Sequence, residues 1–228
     1  MIKMMILAPR RQDMSHAEFR RYVTEVHGPL VKSVAEVAAD IHHYHYNFPI
    51  PGALDTVTGH PLATSLDIVT EAWFDSVEAQ KANMRLPRYL EIVRPDEHRF
   101  ADGERAVMHY TREVPLLDGQ PTALKIFYLR RRRPGLSRVE FQEHWLAGLR
   151  EVLRGVGGRL PGVAGYVQNH VLSEAEHPDG AEHHERDNQF GPSETASSDR
   201  FHGSILRTMA EGAYASFSHW DAARNRYP

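Results

Sequence analysis

Strand-length apolar runs alternate with stripes at helical spacing along this chain. IKMMIL, residues 2–7, is a short β-rich run. The turn APRRQDM follows, and then Ser15-His-Ala-Glu18, the spacing of a capping box. The helix it opens carries an apolar stripe of Phe19, Val23, Val26 and Leu30. IHHYHYNF (41–48) and SLDIVTEAWF (65–74) read as strands, and DSVEAQKANM (75–84) as a helix capped by Asp75 or Ser76. RYLEIVRPDEHRF (88–100) reads as a short helix that breaks before Pro95, and RAVMHYTREV (105–114) as a closing strand. Residues 1–118 thus spell β-α-β-β-α-β, whose sheet has helices on one face only.

The same signals return 122 positions later. Lys125 answers Lys3, Ser137 answers Ser15, Phe141 answers Phe19, and Tyr166 answers Tyr44. LKIFYL (124–129) matches the first strand, and SRVE (137–140) is a second capping box. Its helix bears Phe141, Trp145, Leu149 and Val152, and VAGYVQNHVL (163–172) matches the second strand. PLLDGQPT (115–122) is the expected linker. Residues 173–200 are polar and nearly free of large apolar side chains, the composition of a loop or lid. GSILRTMA (203–210) then reads as a strand and SFSHWDAARNR (216–226) as a helix, which leaves no fourth strand. The expected architecture is α+β: tandem ferredoxin-like repeats, 1–118 and 122–228, with the second covering the bare sheet face of the first as an α/β barrel.

Composition narrows the chemistry. The formal charge is −3 and the pI about 6.6, so no basic excess marks a nucleic-acid partner or an anionic membrane. No apolar stretch is long enough to cross a bilayer, and the amino-terminal run reads as a strand rather than a signal peptide. The chain has no cysteine, which excludes thiolate nucleophiles, thiolate metal sites and disulfides, and fits a cytoplasmic protein. His177, His183 and His184 lie among Glu182, Glu185 and Asp187, but no spacing there fixes two histidines on one face. No metal or other cofactor is expected.

The segments RRQDMSHAEFRRYVTEVHGPLVKSV and RRRRPGLSRVEFQEHWLAGL resemble two copies of the first-helix signature of the EthD-like family. LPGVAGYVQNHVL and LDIVTEAWFDSVEA resemble its second and third strands. The resemblance covers nearly all of the first half and the opening part of the second, and His27-Gly28-Pro29-Leu30 is its best marker. It implies the dimeric α/β-barrel superfamily, here with one chain supplying both units and a homodimer still open. It also implies a cofactor-independent lyase or isomerase, of dehydratase or cyclase type, acting on a hydrophobic oxygenated ring such as a polyketide or an aromatic-catabolism intermediate. A cofactor-free oxygenase of the anthrone type, a haem-handling protein, and a non-catalytic ligand-binding protein are the alternatives on the same scaffold.

Within that frame His27 is the first candidate. It adjoins the buried stripe, and Pro29 disturbs the helix just beyond it. Its imidazole can accept and return a proton near neutral pH; as a structural residue it would cap a broken turn. Alternation on the second strand groups His42, Tyr44, Tyr46 and Phe48, a face that can stack on and hydrogen-bond a ring or simply fill a core. That face is expected to line the cavity between the sheets, with His42 as a second acid/base group. Asp67, Glu71 and Trp73 share a face of the third strand, and Asp67 or Glu71 is the expected carboxylate beside His27. Catalysis is therefore assigned to His27, His42 and Asp67, and ring binding to Tyr44, Tyr46, Glu71 and Trp73. His109 on the closing strand has a weaker claim.

Overall fold

The computed structural model describes residues 1–50, 66–119, 125–130, 132–158 and 163–172, and the backbone of 214–221. Four strands form the central sheet: β1 (Ile2–Ala8), β2 (His43–Pro49), β3 (Ile68–Phe74) and β4 (Val107–Leu117). Between β1 and β2 run α1 (His16–Tyr22), a π-helical turn (Val23–His27), α2 (Gly28–Ser33) and α3 (Ala35–Ala38). Between β3 and β4 run α4 (Val77–Asn83), a second π turn (Tyr89–Val93) and α5 (Arg94–Glu97). The strand order β4-β1-β3-β2, antiparallel throughout, makes the first half a ferredoxin-like α+β fold.

Both capping boxes form. Ser15 Oγ accepts from Glu18 N at 3.2 Å while Ser15 N donates to the Glu18 carboxylate at 2.9 Å, and Ser137 with Glu140 repeats the pattern. Each cap contributes about 1 kcal/mol. At α4 it is Ser76, not Asp75, whose side chain accepts from Ala79 N.

The two sheet faces differ. Met4, Ala72, Phe74 and Tyr110 pack beneath Val31, Val34, Val37, Val77 and Val93 of the helical layer. Ala8, Tyr46, Phe48 and Ile68 pack beneath Phe19, Val23 and Phe100. The other face carries Lys3, Met5 and Leu7, which by register stand beside Trp73, Glu71 and Val69 and then His43, His45 and Asn47. Phe127 packs there against Met5, Leu7 and Val69, so residues 125–130 lie over the face that the helices leave bare.

The second half departs from the expected repeat in three places. Residues 125–130 match the first strand in sequence but pair with no strand among the described residues. Pro115 to Leu117 are not linker: they continue β4 and pair with β5 (Tyr166–Val171), the register slipping at Pro115, which has no N–H to donate. The helix expected over 216–226 does not form at residues 216–221, and 222–226 lie outside the described residues. Tyr214–Asp221 is a strand, β6, antiparallel to β2, because Tyr214, Phe217 and Trp220 favour extended backbone more than Ala222-Ala223 further on can favour helix. The described sheet thus has six strands in the order β5-β4-β1-β3-β2-β6, each edge of the first half extended by a strand of the second. The polar segment 173–200 and GSILRTMA lie outside the described residues.

α6 (Arg138–Gly155) runs without interruption and buries Leu149, Val152 and Leu153 against Leu116, Tyr128 and Tyr166. Gly157 and Gly158 end it at φ values of 68° and 77°, where side chains are strained. At Gly119 the chain passes so close to the Ala164 carbonyl that a Cβ would lie 1.6 Å from its oxygen. No helix among the described residues is long and apolar enough to cross a membrane.

Candidate active site

Two prolines shape the site. In an α-helix residue 29 would donate to the carbonyl of Glu25, but Pro29 has no N–H and its ring would strike that carbonyl. The turn widens instead, and Gly28 N–H reaches back to the Val23 carbonyl. Pro95 does the same to its own helix, where Arg94 N–H reaches the Tyr89 carbonyl. The extra residue in the first π turn shifts the helix phase. The buried series becomes Phe19, Val23, His27 and Val31, while Val26 is 45% exposed. His27, 3% exposed, takes the inward place that a regular helix would give Val26.

Opposite it, just past the second π turn, stands Asp96, 4% exposed. His27 Nδ1 lies 3.0 Å from Asp96 Oδ2, and the Tyr22 hydroxyl donates to Asp96 Oδ1 at 2.6 Å. Phe100 stacks obliquely on the imidazole, ring centroids 4.6 Å apart. Burial pushes the His27 pKa below its ordinary value, and the contact with Asp96 offsets only part of that push. The imidazole is therefore neutral near pH 7. The carboxylate holds the proton on Nδ1, which leaves a lone pair on Nε2, and Nε2 has no hydrogen-bond partner among the described residues.

Tyr46 and Tyr44 border this pair. The Tyr46 ring lies 6.5 Å from the imidazole and 4.9 Å from the Tyr44 ring. The Tyr46 hydroxyl is buried without a well-formed hydrogen bond among the described residues. Burial pushes both phenols well above their ordinary pKa, so both remain neutral donors. Glu97 follows Asp96; its Oε1 accepts from the Tyr89 hydroxyl at 2.9 Å, and burial pushes its carboxyl up.

The other assigned residues stand elsewhere. Glu71 and Trp73 are on the opposite sheet face, where Glu71 meets Lys3 at 2.8 Å, Lys125 at 2.5 Å and Asn47 Nδ2 at 3.0 Å. Burial alone would raise the Glu71 pKa, but the two lysines outweigh it and hold it at about 2. Lys3 lies over the Trp73 ring, whose Nε1 donates to Glu113. Asp67 sits at the start of β3, accepting from Arg10 N at 2.8 Å and facing His16 at 2.9 Å. His42 pairs with Asp75 at 2.8 Å, with both side chains substantially exposed. His109 is exposed on the face of Glu71. The structure therefore gathers His27, Tyr44 and Tyr46 on the helix-covered face and brings neither His42 nor Asp67 to them. Sequence alternation grouped the β2 side chains correctly, but the helices, not a second sheet, cover the tyrosine face. Asp96 was missed, together with Tyr22, Glu97 and Phe100. Its one signal was Pro95, a second helix-disturbing proline to match Pro29. Among the described residues no three potential metal ligands cluster, and the histidine-rich segment around His183 lies outside them.

The EthD domain profile matches residues 11–104, the stretch that supplies both π turns, His27 and Asp96. Over 123 residues the chain is 32% identical to Dehydratase ustZ of Ustilaginoidea virens, covering 51% of this chain and 87% of that protein. The chain belongs to the EthD family. A second relative, the conidial pigment biosynthesis dehydratase EthD of Metarhizium robertsii, is 31% identical over 108 residues, 45% of this chain and 75% of that one. Two solved structures align with part of the chain. An ethyl tert-butyl ether degradation (EthD) family protein from Bacillus halodurans aligns with a TM-score of 0.38 at 18% identity, over 50% of this chain and 99% of its own. A dimeric ferredoxin-like protein of unknown function from Bacteroides fragilis aligns with a TM-score of 0.34 at 12% identity, over 48% of this chain and 92% of its own.

Proposed function

We propose that this EthD protein is a dehydratase that removes water from a hydroxylated, polyketide-type ring ketone. The observation that carries the reading is His27: a buried, neutral imidazole with Nδ1 engaged by Asp96, Nε2 unclaimed among the described residues, and the Tyr46 ring 6.5 Å away. Such an imidazole can take the acidic proton α to a carbonyl, and Asp96 stabilises the imidazolium that forms. The neutral Tyr46 hydroxyl donates to the carbonyl oxygen as it gains charge. Both curated relatives bear the name dehydratase, which favours water elimination over the other reactions this scaffold hosts.

The reaction belongs between the sheet and the helices rather than between two sheets. The opposite face is occupied by the Lys3–Glu71–Lys125 ion pairs and by Phe127.

The tandem barrel is part of the same proposal. Lys3 and Lys125 are equivalent in the repeat, and both reach one carboxylate, Glu71. β5 stands at the sequence position equivalent to β2 and pairs with β4. A pseudo-two-fold arrangement then requires the second half's fourth strand beside β2, which is where β6 lies. That assigns β6 as the fourth strand the sequence reading lacked. One half carries the chemistry, since Leu149 replaces His27 in the other.

The test is turnover of a β-hydroxytetralone, which becomes a fluorescent naphthol when it loses water. Purified protein should accelerate naphthol formation, and His27→Ala should not. Unaccelerated water loss from this ketone and from its ring-fused homologues overturns the reading.

A further inference from the structure

Asp96 and Glu97 are consecutive carboxylates in opposite surroundings. Asp96 has both oxygens engaged, Oδ2 by His27 and Oδ1 by Tyr22, with the Arg99 guanidinium 3.9 Å away. Glu97 has a single phenol, Tyr89, on Oε1. Tyr44 and Tyr46 face it from β2, Tyr89 from the second π turn, and Arg94 and Asp96 from its own turn. Burial is the largest influence on its carboxyl and favours the protonated form; the Asp96 charge adds to that, while Tyr89 and Arg94 oppose it. The two tyrosines connect the ends of the cluster: Tyr46 adjoins His27, Tyr44 adjoins Tyr46, and Tyr44 feels the charge of Glu97. A carboxyl held by one phenol, next in sequence to a carboxylate held by the imidazole, places an acid beside a base-supporting partner.

We propose that Glu97 is the general acid of this site, the group that protonates the departing hydroxyl. The assignment rests on the water-elimination reading above. His27 Nε2 takes the proton from the carbon α to the ketone, and the electron pair of that C–H bond forms the new double bond. The β C–O bond breaks, and the Glu97 carboxyl gives its proton to the leaving oxygen, which departs as water. One proton passing from the imidazolium to the Glu97 carboxylate resets both groups, so no oxidant or reductant is needed. Tyr46 and Tyr44 cannot take this role, because their phenols are held too far above neutral pH to release a proton readily.

The experiment compares wild type and Glu97→Gln on two probes, the β-hydroxytetralone and its β-(para-nitrophenoxy) analogue, whose leaving group needs no proton. Glutamine keeps the size of the side chain and an acceptor for Tyr89. The variant should lose about 10²-fold in kcat on the hydroxy probe, with KM little changed, and should lose the alkaline limb of the pH profile. On the nitrophenoxy probe it should match wild type. Equal slowing of both probes, or no slowing of either, overturns Glu97 as the acid while leaving the dehydratase reading standing. Wild type that expels nitrophenoxide but never hydroxide also overturns it. Wild type that eliminates neither group sinks the dehydratase reading, and the acid role falls with it.

Discussion

His27 Nδ1 and Asp96 Oδ2 meet at 3.0 Å across 69 positions of sequence, each placed there by a π turn that ends two positions before a proline. The pairing divides the labour at the imidazole: one nitrogen is fixed, the other is left basic. Asp96→Asn preserves the shape but removes the charge that stabilises the imidazolium. Turnover of the β-hydroxytetralone should fall by about 10²-fold or more, close to the loss from His27→Ala. Because the two act as one unit, the double variant should be scarcely worse than either single one, and summed losses in a double-mutant cycle would show that they act separately.

Pro29 touches no reacting group in this account, yet it should matter. With Pro29→Ala the missing donor returns, and the helix can close regular turns from Val23 onward. Val26 would then compete with His27 for the inward position. Turnover should drop by about 10- to 10²-fold, as for a misplaced catalytic group, while helicity by circular dichroism stays level or rises. Full activity in Pro29→Ala would mean that packing alone sets the phase.

Burial of His27 also gives the protein an acid-sensitive step. Its folded pKa lies below the ordinary 6.5, so as pH falls the unfolded chain takes up this proton first. Stability should therefore decline below about pH 6.5, with a slope of up to about 1.4 kcal/mol per pH unit, until the folded pKa is reached. His27→Gln should flatten that slope in urea titrations made at successive pH values. An unchanged slope assigns the acid sensitivity to other groups.

The sequence disclosed the elements of the first half because they rest on local signals: two Ser-x-x-Glu boxes, a β-branched third strand, and alternation on β2. It also pointed to His27. It did not disclose Asp96, because the partnership depends on two helix phases that a regular 3.6-residue period cannot represent. The stripe through Val26 was one residue out of phase for the same reason. The use of the two sheet faces was equally hidden, since alternation says which side chains share a face but not what covers it. β6 was misread because helix-favouring residues follow its aromatic ones directly.

Glu71 should be the costliest charge to remove. It is 2% exposed, and Glu71→Ala leaves the buried Lys3 ammonium, 3% exposed, with Glu113 at 2.6 Å as its remaining carboxylate, so the cost should be about 1.5–3 kcal/mol. Lys125 is 35% exposed and solvent screens it, so Lys125→Met should cost about 1 kcal/mol or less. The folded pKa of about 2 lies below the ordinary 4.5, so the contribution of Glu71 is complete above pH 4.5 and fades as pH falls toward 2. Chemical denaturation of the two variants ranks them directly, and a larger loss from Lys125→Met would contradict this account of the ion pairs.

Leu149 occupies the place in α6 that His27 occupies in the first half, and there Arg150-Glu151 stand in place of Gly28-Pro29 and the helix has no π turn. It is 3% exposed and packs in the cluster with Val152 and Leu153. Truncating it removes buried apolar surface and leaves a void, so Leu149→Ala should cost about 2–5 kcal/mol. If only the first half works chemically, kcat of the protein that remains folded should be unchanged. His27→Ala also empties a buried place and strips Asp96 of a partner, so it should lose stability too, but the protein that remains folded should show little turnover. Installing the missing group is the sharper trial. Leu149→His in the His27→Ala background should remain inactive, because among the described residues no carboxylate opposes Leu149 from a second π turn and Arg150-Glu151 do not widen the helix. Recovery of turnover in that double variant would show that the second half still holds a working site, and that the loss of its histidine was drift rather than a division of roles.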